Sequence, residues 1–196
     1  MARRRPGRKD VLLNGVRNAA IALGRATGMN EMERTMALSL RESVHLVSDP
    51  GNLDASVDEV FHLMLGVRCE RAAGPPEVEP ESVTAVVGFG GLLSGACVFR
   101  TGGLAAMKIA QQMTGMEFTS IDDIVKDGIG EICNMLAGAW KGKVPGLAAN
   151  CGLSVPAVIT GRDYNLHVQA PEFQLHHAYR FEDASFAVTI VCDGLQ

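Results

Sequence analysis

Residues 83–99 have the sequence VTAVVGFGGLLSGACVF, in which two runs of strand-forming residues flank the pair Gly90-Gly91. Two β-rich runs separated by glycines are typical of a β-hairpin. The segment is not a dinucleotide-binding motif, because its glycine spacing is wrong and a strand, not a helix, is predicted after it. This stretch therefore predicts two adjacent antiparallel strands.

The regions around the hairpin predict an α+β fold. Apolar residues recur at helical spacing over residues 53–65. Further helices are predicted over residues 102–114, capped by Thr101, and over residues 120–141, capped by Ser120. Short β-rich segments then follow at residues 151–160, 164–170, 173–181 and 185–192. We expect a mostly antiparallel sheet with long helices on one side.

The first fifty residues differ from the rest of the 196-residue chain. They begin with a basic cluster of Arg3, Arg4, Arg5, Arg8 and Lys9. Short helices are predicted over residues 10–26 and 30–47, followed by a turn at residues 48–51. We interpret residues 1–50 as an N-terminal extension and residues 51–196 as the main domain.

Composition excludes several classes of protein. The net charge is only −4, and the basic N-terminus lacks interleaved aromatic residues, so nucleic acid is not an expected partner. No run approaches the roughly 18 apolar residues of a membrane-spanning helix. The five cysteines contain no C-x-x-C pair, which favours reduced thiols and a cytoplasmic location.

The predicted helix over residues 120–141 is strongly two-sided. Its apolar face consists of Ile121, Val125, Ile129, Ile132, Cys133, Leu136, Ala139 and Trp140. Its opposite stripe consists of Asp123, Asp127, Glu131, Asn134, Gly138 and Lys141. Glu131 and Asn134 are three residues apart, so their side chains project side by side. Gly138 suggests the close approach of another backbone. Spacing alone also fits an ordinary solvated helix face.

A family resemblance favours function over that ordinary interpretation. Residues 127–138, DGIGEICNMLAG, resemble the signature of the CheC–CheX–FliY phosphatases, an acidic residue or serine followed by x3-E-x2-N. Residues 56–66, 86–99 and 153–163 are similar to the opening helix, central hairpin and later strand pair of CheX-type members. The resemblance is collinear over about residues 52–193.

The resemblance implies a phosphatase that acts on the phospho-aspartate of a CheY-type response regulator. Asn134 would position the attacking water, and Glu131 would bind the regulator's lysine. Asp127 and Gly138 would be peripheral partner contacts. The family uses no metal or cofactor of its own, since the regulator supplies Mg²⁺. The resemblance also implies a homodimer that pairs through its sheets.

An internal repeat points to the same family. Residues 59–66, EVFHLMLG, match residues 131–138 in spacing and in apolar positions. CheC-type members carry two E-x2-N motifs, whereas CheX-type members keep one. His62 stands where the first copy would need asparagine, so we predict a CheX-like protein with one active site. An imidazole can also hold a water, which leaves a weak second site open.

Two other interpretations stay open at this stage. Phosphatase-like domains of this group also occur as flagellar-switch or scaffold proteins, so a non-catalytic module that binds a response regulator is the alternative. A metal site at His176 and His177 is not expected, because adjacent strand residues point to opposite faces. We expect both histidines at or near the surface.

Overall fold

The structure is a computed structural model that describes residues 47–74, 81–162, 164 and 173–195. In chain order its helices are α1 (Pro50–Leu65), α2 (Gly103–Thr114), α3 (Asp123–Gly142) and α4 (Pro145–Asn150). Its strands are β1 (Glu70–Arg71), β2 (Ser82–Gly91), β3 (Leu93–Gly102), β4 (Cys151–Leu153), β5 (Ala157–Gly161), β6 (Phe173–Phe181) and β7 (Ala184–Leu195).

The seven described strands form one sheet in the order β1-β6-β7-β3-β2-β4, with β5 also pairing with β2. Each of the described strand pairs is antiparallel. The hairpin β2–β3 lies inside the sheet, so strands flank it on both sides. The predicted antiparallel hairpin is therefore confirmed.

The geometry of the hairpin turn requires glycine at position 91. Gly91 has a φ of 116°, and a Cβ atom added to it would lie 2.3 Å from the carbonyl oxygen of Asn150. The same carbonyl accepts a hydrogen bond from the backbone N–H of Leu92, at 3.0 Å. A side chain at position 91 would therefore clash with the residue that holds the turn in place.

One hydrophobic core joins the sheet to the helices. Alternate residues of β2 belong to it, as expected when one face of a strand is buried: Val83, Ala85, Val87 and Phe89. Phe61 of α1 stacks on Phe186 of β7, with ring centroids 4.4 Å apart. Trp140 of α3 packs near Phe89, at 5.3 Å between centroids. The helices thus cover this face of the sheet, and the predicted α+β fold is confirmed.

Both predicted helix caps are wrong by one or two residues. Helix α2 begins after Gly102, and the Thr101 hydroxyl donates instead to the carbonyl of Ser185 on β7. Helix α3 begins after Asp122, whose carboxylate accepts from the backbone N–H of Val125 at 3.0 Å. A carboxylate both accepts this hydrogen bond and complements the positive end of the helix dipole, an advantage that Ser120 does not have.

The C-terminal prediction needs two changes. The predicted strand over residues 151–160 is divided into β4 and β5 by Ser154-Val155-Pro156, and α4 precedes it unpredicted. Strands β6 and β7 agree with the prediction to within a few residues at each end. Most of the predicted strand over residues 164–170 lies outside the described residues.

The N-terminal prediction is mostly beyond the described part of the chain. Residues 1–46, with the predicted extension and its short helices, lie outside it. Asp49 caps α1, its side chain accepting from the N–H of Gly51, and the helix begins at Pro50. The division between residues 1–50 and 51–196 stays a prediction.

Candidate functional site

Helix α3 is held in place by its buried face. Val125, Ile129, Ile132, Leu136 and Trp140 are each completely buried. Cys133 is also completely buried, and its thiol donates toward the carbonyl oxygens of Ala85 and Cys97, at 3.5 Å each. These contacts join the middle of α3 to both strands of the central hairpin. The outer face of the helix is consequently fixed in orientation.

That outer face presents the predicted site residues. Asp127 and Glu131 are exposed, while Asn134, one turn beyond Glu131, is half-buried. Within the described part of the chain, none of these three side chains forms a hydrogen bond or an ion pair. The structure thus places the two predicted catalytic side chains together on one solvent-facing surface, with their polar atoms available to a partner.

The ends of the stripe have local roles. Lys126 forms an ion pair with Asp123, at 2.9 Å, within the first turn of α3. Lys141 donates to the carbonyl oxygens of Ala148 and Cys151, at 2.9 and 2.7 Å. Lys141 therefore attaches the end of α3 to α4 and β4. Among the described residues, the stripe side chains that have no internal hydrogen bond or ion pair are therefore the central ones, Asp127, Glu131 and Asn134.

The close backbone expected at Gly138 is not found among the described residues. A Cβ atom added there would meet only the side chain of Leu153, at 4.0 Å. A Cβ atom added to Gly130 would lie 3.4 Å from side-chain atoms of both Pro156 and Val158. The segment from Leu153 to Pro156 therefore runs alongside α3, and Gly138 itself leaves an open patch on the outer face.

The first copy of the motif lies on α1 and is differently engaged. Glu59 forms an ion pair with Lys143, at 2.5 Å, just beyond the end of α3. His62 is exposed. Glu59 thus has an internal partner, whereas its counterpart Glu131 has none among the described residues.

The histidine pair is divided between two environments. His176 is exposed and lies 2.8 Å from the hydroxyl of Thr189, whereas His177 points to the other face and is 8% exposed. His177 Nδ1 lies 3.2 Å from Asp54 Oδ1, and Arg71 lies against His177 Nε2. The opposite orientations are confirmed, but His177 belongs to a buried polar network that the sequence did not indicate.

Neither a metal-binding cluster nor a membrane-spanning helix is present among the described residues. They contain no group of three or more His, Cys, Asp or Glu side chains that could hold a metal ion. None of their helices combines the length and the apolar character that crossing a membrane requires.

The central hairpin and α3 have counterparts in known proteins. Residues 83–177, which include β3, α3 and all of β2 except Ser82, match the family model described as "Chemotaxis phosphatase CheX". The chain is 30% identical over 120 residues to the CheY-P phosphatase CheX of Thermotoga maritima, covering 58% of this chain and 76% of that relative. This chain belongs to the CheX family of chemotaxis phosphatases.

Solved structures agree with the fold of the CheX family. CheX of Vibrio vulnificus superposes with a TM-score of 0.62 at 19% identity, covering 73% of this chain and 95% of that one. CheX of Borrelia burgdorferi, crystallised in complex with CheY, BeF₃ and Mg²⁺, gives 0.62 at 18% identity, covering 74% and 97%. FliY of Thermotoga maritima gives 0.56 at 18% identity, covering 79% and 91%.

The segment between β4 and β5 lies beside α3, and this neighbourhood was not predicted from the sequence. Ser154, Val155 and Pro156 were interpreted as part of one continuous strand. Pro156 was the available signal, because proline interrupts a strand ladder and restricts the residue before it. The partner of Glu59 could not be found in this way, since Lys143 is 84 residues away.

Proposed function

We propose that this protein hydrolyses the aspartyl phosphate of a CheY-type response regulator. The observation that carries the proposal is the Glu131–Asn134 pair. The two side chains lie one turn apart on the outer face of a firmly packed helix, and the described residues leave them without internal partners. Family membership supports the reaction class, and the named relative from Thermotoga maritima supports the substrate class.

The chemistry needs little more than positioning. An aspartyl phosphate is already labile, and in phosphoryl transfer an enzyme acts mainly by orienting the attacking group and stabilising charge. The Asn134 side-chain amide has both a donor and an acceptor, so it orients a water in line with the phosphorus atom. Asn134 is half-buried, so its side chain already has fewer accessible rotamers. It therefore loses less conformational entropy when binding fixes it.

Glu131 has a different role in the proposal. Its carboxylate accepts hydrogen bonds only, so it binds the regulator's active-site lysine and fixes the position of α3 on the regulator. Asp127 and Gly138 flank this pair and contact the partner at its periphery. In this proposal Mg²⁺ comes with the regulator, as the composition of the Borrelia burgdorferi complex suggests, and the described residues of this chain do not bind a metal ion of their own.

Phosphate release from a phosphorylated CheY-type regulator tests the proposal. We expect the wild type to accelerate release and Asn134→Ala to lose that acceleration while it still binds the regulator. His62→Ala, which changes the corresponding position of the first copy on α1, serves as the matched control. Equal activity of the wild type and Asn134→Ala would reject the proposed role of Asn134.

Inactivity of the wild type would favour the alternative function. If none of several regulators from the same cell were dephosphorylated but one were bound, the protein would be a non-catalytic binding module. The Glu131–Asn134 pair has no internal partner within the described part of the chain, and this observation supports hydrolysis as the first proposal.

We also propose a homodimer that forms through a sheet edge. Strand β1 pairs only with Tyr179 and Arg180 of β6. The described residues place no strand beside the outer edge of β6 from Phe173 to His177, which leaves backbone groups for a second copy. Light scattering coupled to size exclusion gives the mass directly, and a monomer would refute this part of the proposal.

A further inference from the structure

Val155 stands out beside the centre of α3. It is 87% exposed, which makes it the most exposed large apolar side chain among the described residues. Isolated surface valines are common and need no explanation by themselves. The position of this one, and the way its backbone is held, separate it from an ordinary surface residue.

The position follows from two glycines of α3. Gly130 and Gly138 each lie four residues from Asn134, which is about one helical turn before and after it. Pro156 packs beside Gly130, and Leu153 packs beside Gly138. The intervening residues therefore pass the turn that carries Asn134, and Val155 projects into solvent beside it.

The backbone of this segment is firmly attached to β2. The N–H of Ser154 donates to the carbonyl of Gly88 at 2.9 Å, and the Ser154 hydroxyl accepts from the N–H of Gly88 at 2.8 Å. Pro156 fixes its own φ and restricts Val155 to extended conformations. Valine is also stiff about χ1. An apolar contact made here costs little conformational entropy.

The charge of the neighbouring helix face explains why such a contact is useful. Asp127 and Glu131 are both acidic and exposed. The nearby Lys126 is paired with Asp123, and Lys141 donates to backbone carbonyls. A phosphorylated partner also brings negative charge to this surface. Apart from one lysine contact, Coulomb attraction therefore does little to hold the partner, and burial of apolar area does not depend on charge.

We propose that Val155 is a docking residue, which packs against an apolar patch of the response regulator next to its phosphorylated aspartate. This inference rests on the proposed function. Val155 touches neither the phosphoryl group nor the water, so it affects affinity and choice of regulator rather than the chemical step. It forms one side of the docking surface, and the Glu131–Asn134 pair forms its centre.

Steady-state phosphate release at varied concentrations of the phosphorylated regulator tests the inference. We expect Val155→Ser to raise KM roughly tenfold with kcat unchanged, because the variant removes most of one buried apolar side chain. Binding to the regulator activated with beryllofluoride should weaken by the same factor. Val155→Ile, which keeps the apolar surface, should behave like the wild type.

Leu63→Ser is the matched control, since Leu63 is 71% exposed but lies on α1. It should leave KM unchanged. Thermal unfolding of each variant shows that the fold is retained. An unchanged KM for Val155→Ser in the presence of an active wild type would overturn the docking role alone, as would a fall in kcat without a change in KM. A wild type that releases no phosphate would instead refute the proposed function and the inference with it.

Discussion

The carboxylate of Glu59 lies 2.5 Å from the ammonium group of Lys143. This ion pair joins the repeated motif on α1 to the residue that follows α3. It also distinguishes the two copies, because Glu131, the counterpart of Glu59, has no ion-pair partner among the described residues. A glutamate that is already paired within the protein must give up that contact before it can bind a partner's lysine.

We therefore expect only one copy of the motif to support hydrolysis. Converting the first copy with His62→Asn should not add a second activity, because Glu59 stays paired with Lys143. Phosphate release by the double variant His62→Asn/Asn134→Ala measures this directly, with Asn134→Ala as its control. Recovery of activity in the double variant would show that the α1 copy needs only its asparagine.

Glu131→Ala and Asn134→Ala should differ in their effects on regulator binding and on turnover. Loss of the water-positioning amide should lower kcat by about 10²-fold or more while regulator binding is kept. Loss of the carboxylate should weaken binding as well as turnover, since it removes the contact that holds α3 in register. Calorimetric titration with the beryllofluoride-activated regulator separates the two effects. Equal losses of affinity in both variants would contradict the assigned roles.

Gly138→Ala should stabilise the protein and yet weaken its activity. The added Cβ has ample space, with Leu153 at 4.0 Å as its nearest neighbour, and alanine is favoured over glycine within a helix by about 1 kcal/mol. The same methyl group would stand in the path of a docking partner. Urea denaturation and regulator binding measure the two effects, and unaltered binding would remove Gly138 from the docking surface.

The His177 network should make stability depend on pH. Arg71 can only donate, so His177 Nε2 must accept, and the neutral ring donates from Nδ1 to Asp54. Burial and then the nearby Arg71 lower the pKa of His177, while contact with Asp54 opposes them. The unfolded chain consequently binds this proton more readily than the folded protein does.

It follows that the stabilising contribution of neutral His177 is complete above its ordinary pKa of about 6.5 and declines as the pH falls toward its lowered folded value. Urea midpoints of the wild type and His177→Gln, compared at pH 7.5 and at pH 5.5, isolate this group from other titrations. We expect the wild type to lose more stability than the variant on acidification. An equal loss in both proteins would show that His177 does not contribute.

Local patterns were sufficient to predict much of this molecule. The hairpin over residues 83–99 follows from strand-forming runs around two glycines, and the two faces of α3 follow from helical periodicity. Both depend on neighbours within a few residues, which are visible in the chain itself. The adjacency of Glu131 and Asn134 is of this kind, since any helix places residues three apart on one surface.

Helix caps were less predictable because several candidate residues compete near each helix start. Ser120 and Asp122 are both residue types that cap helices. Tertiary packing decides which of them precedes the first turn of α3. Thr101 likewise became a bridge to Ser185 of β7, an acceptor 84 residues away. Such outcomes are set by the tertiary neighbours of a segment rather than by its own preferences.

Periodicity and turn chemistry act over short distances, and they are sufficient to predict the α+β fold and the helix face that carries the E-x2-N motif. Other relationships depend on tertiary packing: Glu59 is paired with Lys143, His177 is buried beside Asp54 and Arg71, and the segment that contains Val155 runs alongside α3. Each of these relationships joins residues far apart in the chain or on different elements. Their proximity follows from how the helices and strands pack together, which short-range patterns in the chain do not specify.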